Sequence, residues 1–211
     1  VGAPYMDYII ADPVVIPAAA RGCYSEQVIT LPDSYQVNDA TRAIDPVTPS
    51  RAELGLPDHG FVFCCFNNSF KITPAVFDIW MRLLARTEGG VLWLLRDNDM
   101  AMRNLRNEAA RRGIDPARLV FAPRLPLPLH LARHRAADLS LDTWPCNAHT
   151  TASDSLWSGL PILTHAGRSL AARVAASLLT AVGMPELITH SAEDYEACLL
   201  YTSPSPRDVE E

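Results

Sequence analysis

FVFCCFNNSFKITPAVFDIWMRLL (61–84) reads as a strand, a polar loop and a helix in direct succession. The apolar run FVFCCF (61–66) is bounded by His59-Gly60 before it and Asn67-Asn68 after it, residues that punctuate strand ends. Thr73-Pro74 has the form of a helix start, a threonine at the cap and a proline in the first turn, where its missing N–H is not needed. Beyond it Val76, Phe77, Trp80, Leu83 and Leu84 fall on one helical face. A strand that feeds a helix is half of a crossover, the connection that a parallel pair requires.

The same alternation continues outward. VLWLL (91–95) predicts the next strand, followed by a charged amphipathic helix over Asp99 to Arg112 that Gly113 closes. RLVFA (118–122) is a third strand, and the proline-rich loop PRLPLP (123–128) leads into a short helix around His130 to Arg135. DLSLD (138–142) is a fourth strand, after which CNAHTTASD (146–154) opens a helix. PILTH (161–165), a helix over Ser169 to Val182, ELITH (186–190) and a helix start at Ser191 complete the pattern. Trp80, Trp93 and Trp157 sit in apolar patterns and read as core.

Strands separated by helices imply right-handed crossovers and a parallel sheet covered on both faces. The expectation is a Rossmann-like α/β domain from residue 59 onward. Ligands in such sheets sit at the carboxyl ends of strands, so the candidate loops are 67–71, 123–130, 143–151 and 165–168.

Residues 1–58 differ. YIIAD (8–12) and QVITLP (27–32) read as two strands with a helical turn between them, and the polar stretch from Asp33 to Pro57 reads as a linker. This part is expected to be the end of a preceding domain. At the other end, CLLYTSPSPRD (198–208) looks like an in-frame sequencing-adapter translation, so 198–211 are assigned no fold role and the Rossmann-like domain is taken as 59–197. The chain is expected to be a fragment cut at both ends.

A net charge of -6 gives no electrostatic reason to expect a nucleic-acid partner. No run of 18 or more apolar residues argues for membrane insertion. The five cysteines form no CxxC and no metal-type spacing, and they read as buried thiols of a reducing cytoplasm. Lys71 is the only lysine, against 17 arginines. Its survival in an arginine-rich chain points to a role that arginine cannot fill.

Four places could carry chemistry. An ammonium at Lys71, about 4 Å from a phosphate oxygen, would gain roughly 4 kcal/mol at an effective dielectric of 20. The alternative is a solvated lysine on a surface loop, and the glycines of a P-loop are absent. His149, Thr150 and Thr151 bring a ring N–H, two hydroxyls and main-chain N–H groups to a helix start, where the dipole favours an anion. The alternative is capping by Thr150 or Thr151. Asp154, placed in the first turn, suits the dipole or could accept from both hydroxyls of a ribose. His130 could stack on a nucleobase, worth on the order of 1–3 kcal/mol, with Arg133 one turn away as its companion or simply as a solvated charge.

These segments together resemble a known family. CNAHTTASDSLWSGLPILTHAGRSLAARVAASLL (146–179), FCCFNNSFKITPAVFDIWMRLL, VLWLL and PARLVFAPRLPLPLHLARHRAADLSLDT are similar to the catalytic region of protein O-GlcNAc transferases. The bacterial, tetratricopeptide-linked, SPINDLY-like branch is the nearest in style, and the likeness runs to about Leu187. The resemblance implies a GT-B architecture, of which this chain holds mainly the C-terminal, UDP-binding half. It implies that Lys71 contacts the diphosphate and stabilises the leaving UDP. His149, Thr150 and Thr151 would grip phosphate, Asp154 the ribose, and His130 and Arg133 the uracil, with Asn68 and Leu125 completing the UDP-binding set.

The implied reaction transfers GlcNAc from UDP-GlcNAc to a Ser or Thr hydroxyl of a protein acceptor, with inversion. No metal and no other cofactor is expected, because the lysine and the helix start take the place of a divalent cation. Two positions depart from the family. Asn68 stands where glutamine is frequent, and Leu127 stands where some members have a ribose-contacting lysine. The first catalytic domain, its histidine and the tetratricopeptide repeats are missing, so the fragment alone is expected to lack turnover. The rival readings are a GT-B transferase with another donor or an N-linked acceptor, and a non-catalytic nucleotide-binding domain.

Overall fold

The computed structural model describes residues 2–202. Two strands, β1 (Tyr8–Ala11) and β2 (Gln27–Thr30), pair in parallel as a small separate sheet, joined through a 3-10 turn over Ala18–Cys23. The main sheet follows. Its strands are β3 (Val62–Cys65), β4 (Val91–Leu95), β5 (Leu119–Ala122), β6 (Leu139–Leu141), β7 (Ile162–His165) and β8 (Ile188–Thr189). They lie in the order β5-β4-β3-β6-β7-β8 with every pairing parallel. Between them run α1 (Pro74–Arg86), α2 (Asp99–Arg111), α3 (Leu127–Arg133), α4 (Thr150–Trp157) and α5 (Val174–Ala181), and α6 (Ala192–Thr202) follows β8. The expected α/β parallel sheet flanked by helices is what the chain forms.

The two faces of the sheet bury different residues, as the two-residue period of a strand demands. Phe63 and Cys65 point to one side with Leu92 and Leu94, under Val76, Phe77 and Trp80 of α1 and Tyr195 and Leu199 of α6. Val62, Cys64 and Phe66 point to the other with Trp93, under Ala136, Ala137 and Leu160. Thr73 caps α1, its hydroxyl accepting the N–H of Val76 at 3.4 Å. Gly113, at φ 77°, ends α2 in the left-handed region that glycine enters freely.

Several expectations need correction. The short helix starts at Leu127, three residues before His130, because Pro126 and Pro128 sit at its cap and first turn, where proline costs no hydrogen bond. The stretch 33–57 is more than a linker: Leu54 and Leu56 pack into the sheet's second face, and Arg51 reaches Asp138 at 3.1 Å. Asp12 ties the first part to α5 by accepting from Ser177 Oγ at 2.7 Å. Trp157 is 39% exposed and is not core. Cys23 is exposed, whereas burial pushes the Cys64 and Cys65 thiols up to about 12. The last helix runs on to Thr202 and fully buries Leu199, so residues 198–202 do have a fold role. The rest of the proposed scar, 203–211, lies outside the described residues. No helix among the described residues is long and apolar enough to cross a membrane.

Candidate functional site

β3 and β6 are neighbours, yet the chain leaves β3 toward β4 and leaves β6 toward β7, in opposite directions across the sheet. Loops that diverge from adjacent carboxyl ends open a crevice, and such switch points are where open α/β sheets hold ligands.

The two loops are braced to one another. Lys71 Nζ donates to the main-chain oxygen of Asn147 at 2.7 Å. Buried Asn67 donates from Nδ2 to Thr143 Oγ1 at 3.0 Å, so its Oδ1 is the acceptor for Thr151 Oγ1 at 2.6 Å. Beneath them Asp142 is fully buried: one oxygen accepts the N–H groups of Thr143 (2.7 Å) and Ala148 (2.6 Å), the other accepts from Thr164 Oγ1 (2.5 Å). Burial pushes its carboxyl up to about 7, against the pull of these donors and of the Lys71 charge. Asn147 is also buried, held by its N–H to the Ala171 carbonyl at 2.8 Å.

α4 begins in this crevice. Its cap is His149, which makes no side-chain cap hydrogen bond, and neither threonine caps the helix. The capping alternative is therefore not what the chain uses, and the first-turn N–H groups keep their dipole for another acceptor. Thr150 is exposed, whereas the Thr151 hydroxyl is spent on Asn67. His149 Nε2 faces the Ala171 carbonyl at 3.4 Å; a carbonyl can only accept, so the ring proton sits on Nε2. Burial lowers the His149 pKa, with the Lys71 charge adding to it and the Ala171 carbonyl opposing. Asp154 is the fifth residue of α4, one turn further in than expected.

A second cluster lies beside the first. Arg133 is 1% exposed rather than solvated. Its guanidinium lies 4.3 Å from the Phe66 ring centroid, donates to Pro123 O at 2.6 Å and reaches His130 Nδ1 at 2.6 Å. Arginine only donates, so Nδ1 accepts and the His130 proton is on Nε2, 3.8 Å from Asp154 Oδ2. Burial, with help from Arg133 and His134, lowers the His130 pKa to about 3. The ring is thus neutral at ordinary pH, which suits stacking on a base. Asp154 is nearly buried and pairs with Arg42 at 2.5 Å; burial raises its carboxyl and Arg42 works against that.

The remaining predicted residues stand at the rim. Asn68 Oδ1 accepts from Arg124 at 3.1 Å. Leu125 is half-buried on the loop before α3, and Leu127 is exposed. Sequence reasoning missed Asn67, Asp142, Asn147 and Arg42. Asn67 and Asn147 had a signal, since each lies on a candidate strand-end loop. Arg42 had none.

The sequence model of glycosyl transferase family 41 matches residues 41–202. The chain belongs to glycosyl transferase family 41. Among relatives of the family, the probable UDP-N-acetylglucosamine–peptide N-acetylglucosaminyltransferase SEC of Arabidopsis thaliana is 38% identical over 201 residues, 92% of this chain. The UDP-N-acetylglucosamine–peptide N-acetylglucosaminyltransferase of Caenorhabditis elegans is 42% identical over 146 residues, 69% of this chain. A solved variant of the Thermobaculum terrenum O-GlcNAc transferase superposes with a TM-score of 0.80 at 27% identity, over 96% of this chain and 38% of that one. Sucrose-phosphate synthase of Thermosynechococcus elongatus, at 13% identity and a TM-score of 0.56 over 93% of this chain and 54% of its own, shares the fold alone. The family 41 chain described here spans 21% of the length of the Arabidopsis protein and 13% of the nematode one.

Proposed function

We propose that this chain is the UDP-binding half of an inverting transferase that moves GlcNAc from UDP-GlcNAc to serine or threonine hydroxyls of proteins. The observation that carries the reading is the placement of Lys71 against Asn147 O, at a switch point that also holds the uncapped start of α4. The family membership and the donor named in its relatives favour this substrate over other sugar nucleotides.

In this reading the diphosphate lies between the Lys71 ammonium and the first-turn N–H groups and hydroxyl of Thr150. Asp154 accepts from the ribose and the neutral His130 ring stacks on uracil, with Arg133 as a positioning residue behind it. As the acceptor hydroxyl attacks the anomeric carbon, the bond to the β-phosphate oxygen breaks and negative charge grows on that oxygen. A fixed cation and a helix start stabilise that charge without reorganising, which takes over the role of a divalent metal. The acceptor's proton passes to a base that the preceding domain supplies. Acceptor binding and turnover therefore belong to the longer protein.

Calorimetry of the chain with UDP and with ADP tests this. UDP binding at least about tenfold tighter than ADP supports a uracil site; equal binding, or none by folded protein, contradicts it.

A further inference from the structure

Among the described residues Asp154 has one charged partner, and it comes from outside the sheet. Arg42 lies in the stretch between β2 and β3 and donates from Nη1 to Asp154 Oδ1 at 2.5 Å and from Nη2 to Ser153 Oγ at 3.4 Å. Its guanidinium lies 5.2 Å from the Trp157 ring centroid, and Trp157 Nε1 donates back to the Arg42 carbonyl at 3.3 Å. Asn38, on the same stretch, accepts from Ser153 Oγ. One turn of α4 is thus gripped by the stretch that precedes the main sheet. The paired side chains are only 9% and 7% exposed, so the attraction is little screened by solvent. Asp154 Oδ2 accepts no hydrogen bond among the described residues, and its neighbour there is His130 Nε2 at 3.8 Å.

We infer that Arg42 is a positioning residue of the nucleotide site, holding Asp154 as a carboxylate through one oxygen and presenting the other to the ribose hydroxyls. This rests on the ribose role proposed above for Asp154. It also gives the stretch before the sheet a part in donor recognition. Arginine suits the task because its planar fork spans Asp154 and Ser153 together while its face rests on Trp157; a lysine ammonium reproduces the charge but not the fork.

The test compares Kd for UDP and 2′-deoxy-UDP in the chain, in Arg42→Ala, in Arg42→Lys, in Asp154→Ala and in the double variant. The unaltered chain prefers UDP by about tenfold, as expected for a hydrogen bond to a charged group. Arg42→Ala brings that ratio to about one while 2′-deoxy-UDP binding changes little, and Arg42→Lys restores part of it. The double variant binds UDP no more weakly than Asp154→Ala alone, since the two residues act as one unit. An Arg42→Ala variant that keeps the ratio overturns the inference, and so does one that loses equal affinity for both nucleotides. Should Arg42→Ala not fold, Arg42→Lys carries the same comparison, and a full ratio there together with additive loss on an Asp154→Ala background overturns it. An unaltered chain without ribose preference overturns the ribose role itself, and that of Arg42 with it.

Discussion

The Lys71 ammonium lies 2.7 Å from the Asn147 main-chain oxygen and so ties the loop after β3 to the loop after β6. Among the described residues no carboxylate forms an ion pair with it. A neutral carbonyl leaves most of its charge uncompensated, and an ammonium has three donors to place. An anion at the start of α4 would satisfy both.

Thr150 and Thr151 should separate binding from stability. The Thr151 hydroxyl serves Asn67 Oδ1, whereas Thr150 is exposed. Thr151→Val should lower unfolding free energy by about 1–2 kcal/mol, because it orphans a buried acceptor. Thr150→Val should stay within about 0.5 kcal/mol of the unaltered chain, as surface changes do, yet weaken UDP binding. Urea unfolding and calorimetry on both variants read the two effects apart.

Asp142 gives the chain a pH dependence that one substitution removes. With its folded pKa raised to about 7, the carboxyl holds its proton in the folded state between roughly pH 4 and 7, where the unfolded chain releases it. Its contribution is therefore full below about pH 4 and is lost as pH rises to about 7, by up to about 4 kcal/mol. Asp142→Asn keeps an acceptor for the Thr143 and Ala148 N–H groups and offers Thr164 a donor. Relative to the unaltered chain, this variant should gain stability steadily from pH 4 to 7 in denaturant titrations.

Burial keeps His130 neutral, and the Arg133 charge adds to it. Because His130 is depressed to about 3, the unfolded chain takes up that proton first, so the stability it contributes is present above about pH 6.5 and is lost as pH falls toward 3. Arg133→Met keeps apolar bulk beside Phe66 but removes the cation. NMR titration should then show the His130 pKa rising yet staying below its ordinary value, since burial, the larger cause, remains.

Much of the sheet was legible because its strands are continuous apolar runs, which strands buried on both faces must be. Val62–Cys65 and Val91–Leu95 fall where FVFCCF and VLWLL place them. Each predicted strand end marks a candidate ligand loop, so Lys71 and the start of α4 could be singled out, whereas the strand order that makes their loops neighbours came only with the fold. What was not legible depended on contacts distant in sequence. Trp157 has the spacing of a core residue, but its indole is covered by Arg42, 115 residues away, instead of by the sheet. Arg133 has the composition of a solvated helix charge, and only the folded chain shows two aromatic rings around it. Asp142 is buried at the end of a strand, where local sequence gives no sign of the three donors that satisfy it.

The central claim is that Lys71 holds a diphosphate, and calorimetry of Lys71→Ala with UDP beside uridine tests it most directly. The account predicts that the variant loses about tenfold or more in UDP affinity while its weak affinity for uridine is unchanged. A Lys71→Ala chain that binds UDP as well as the unaltered one would contradict it.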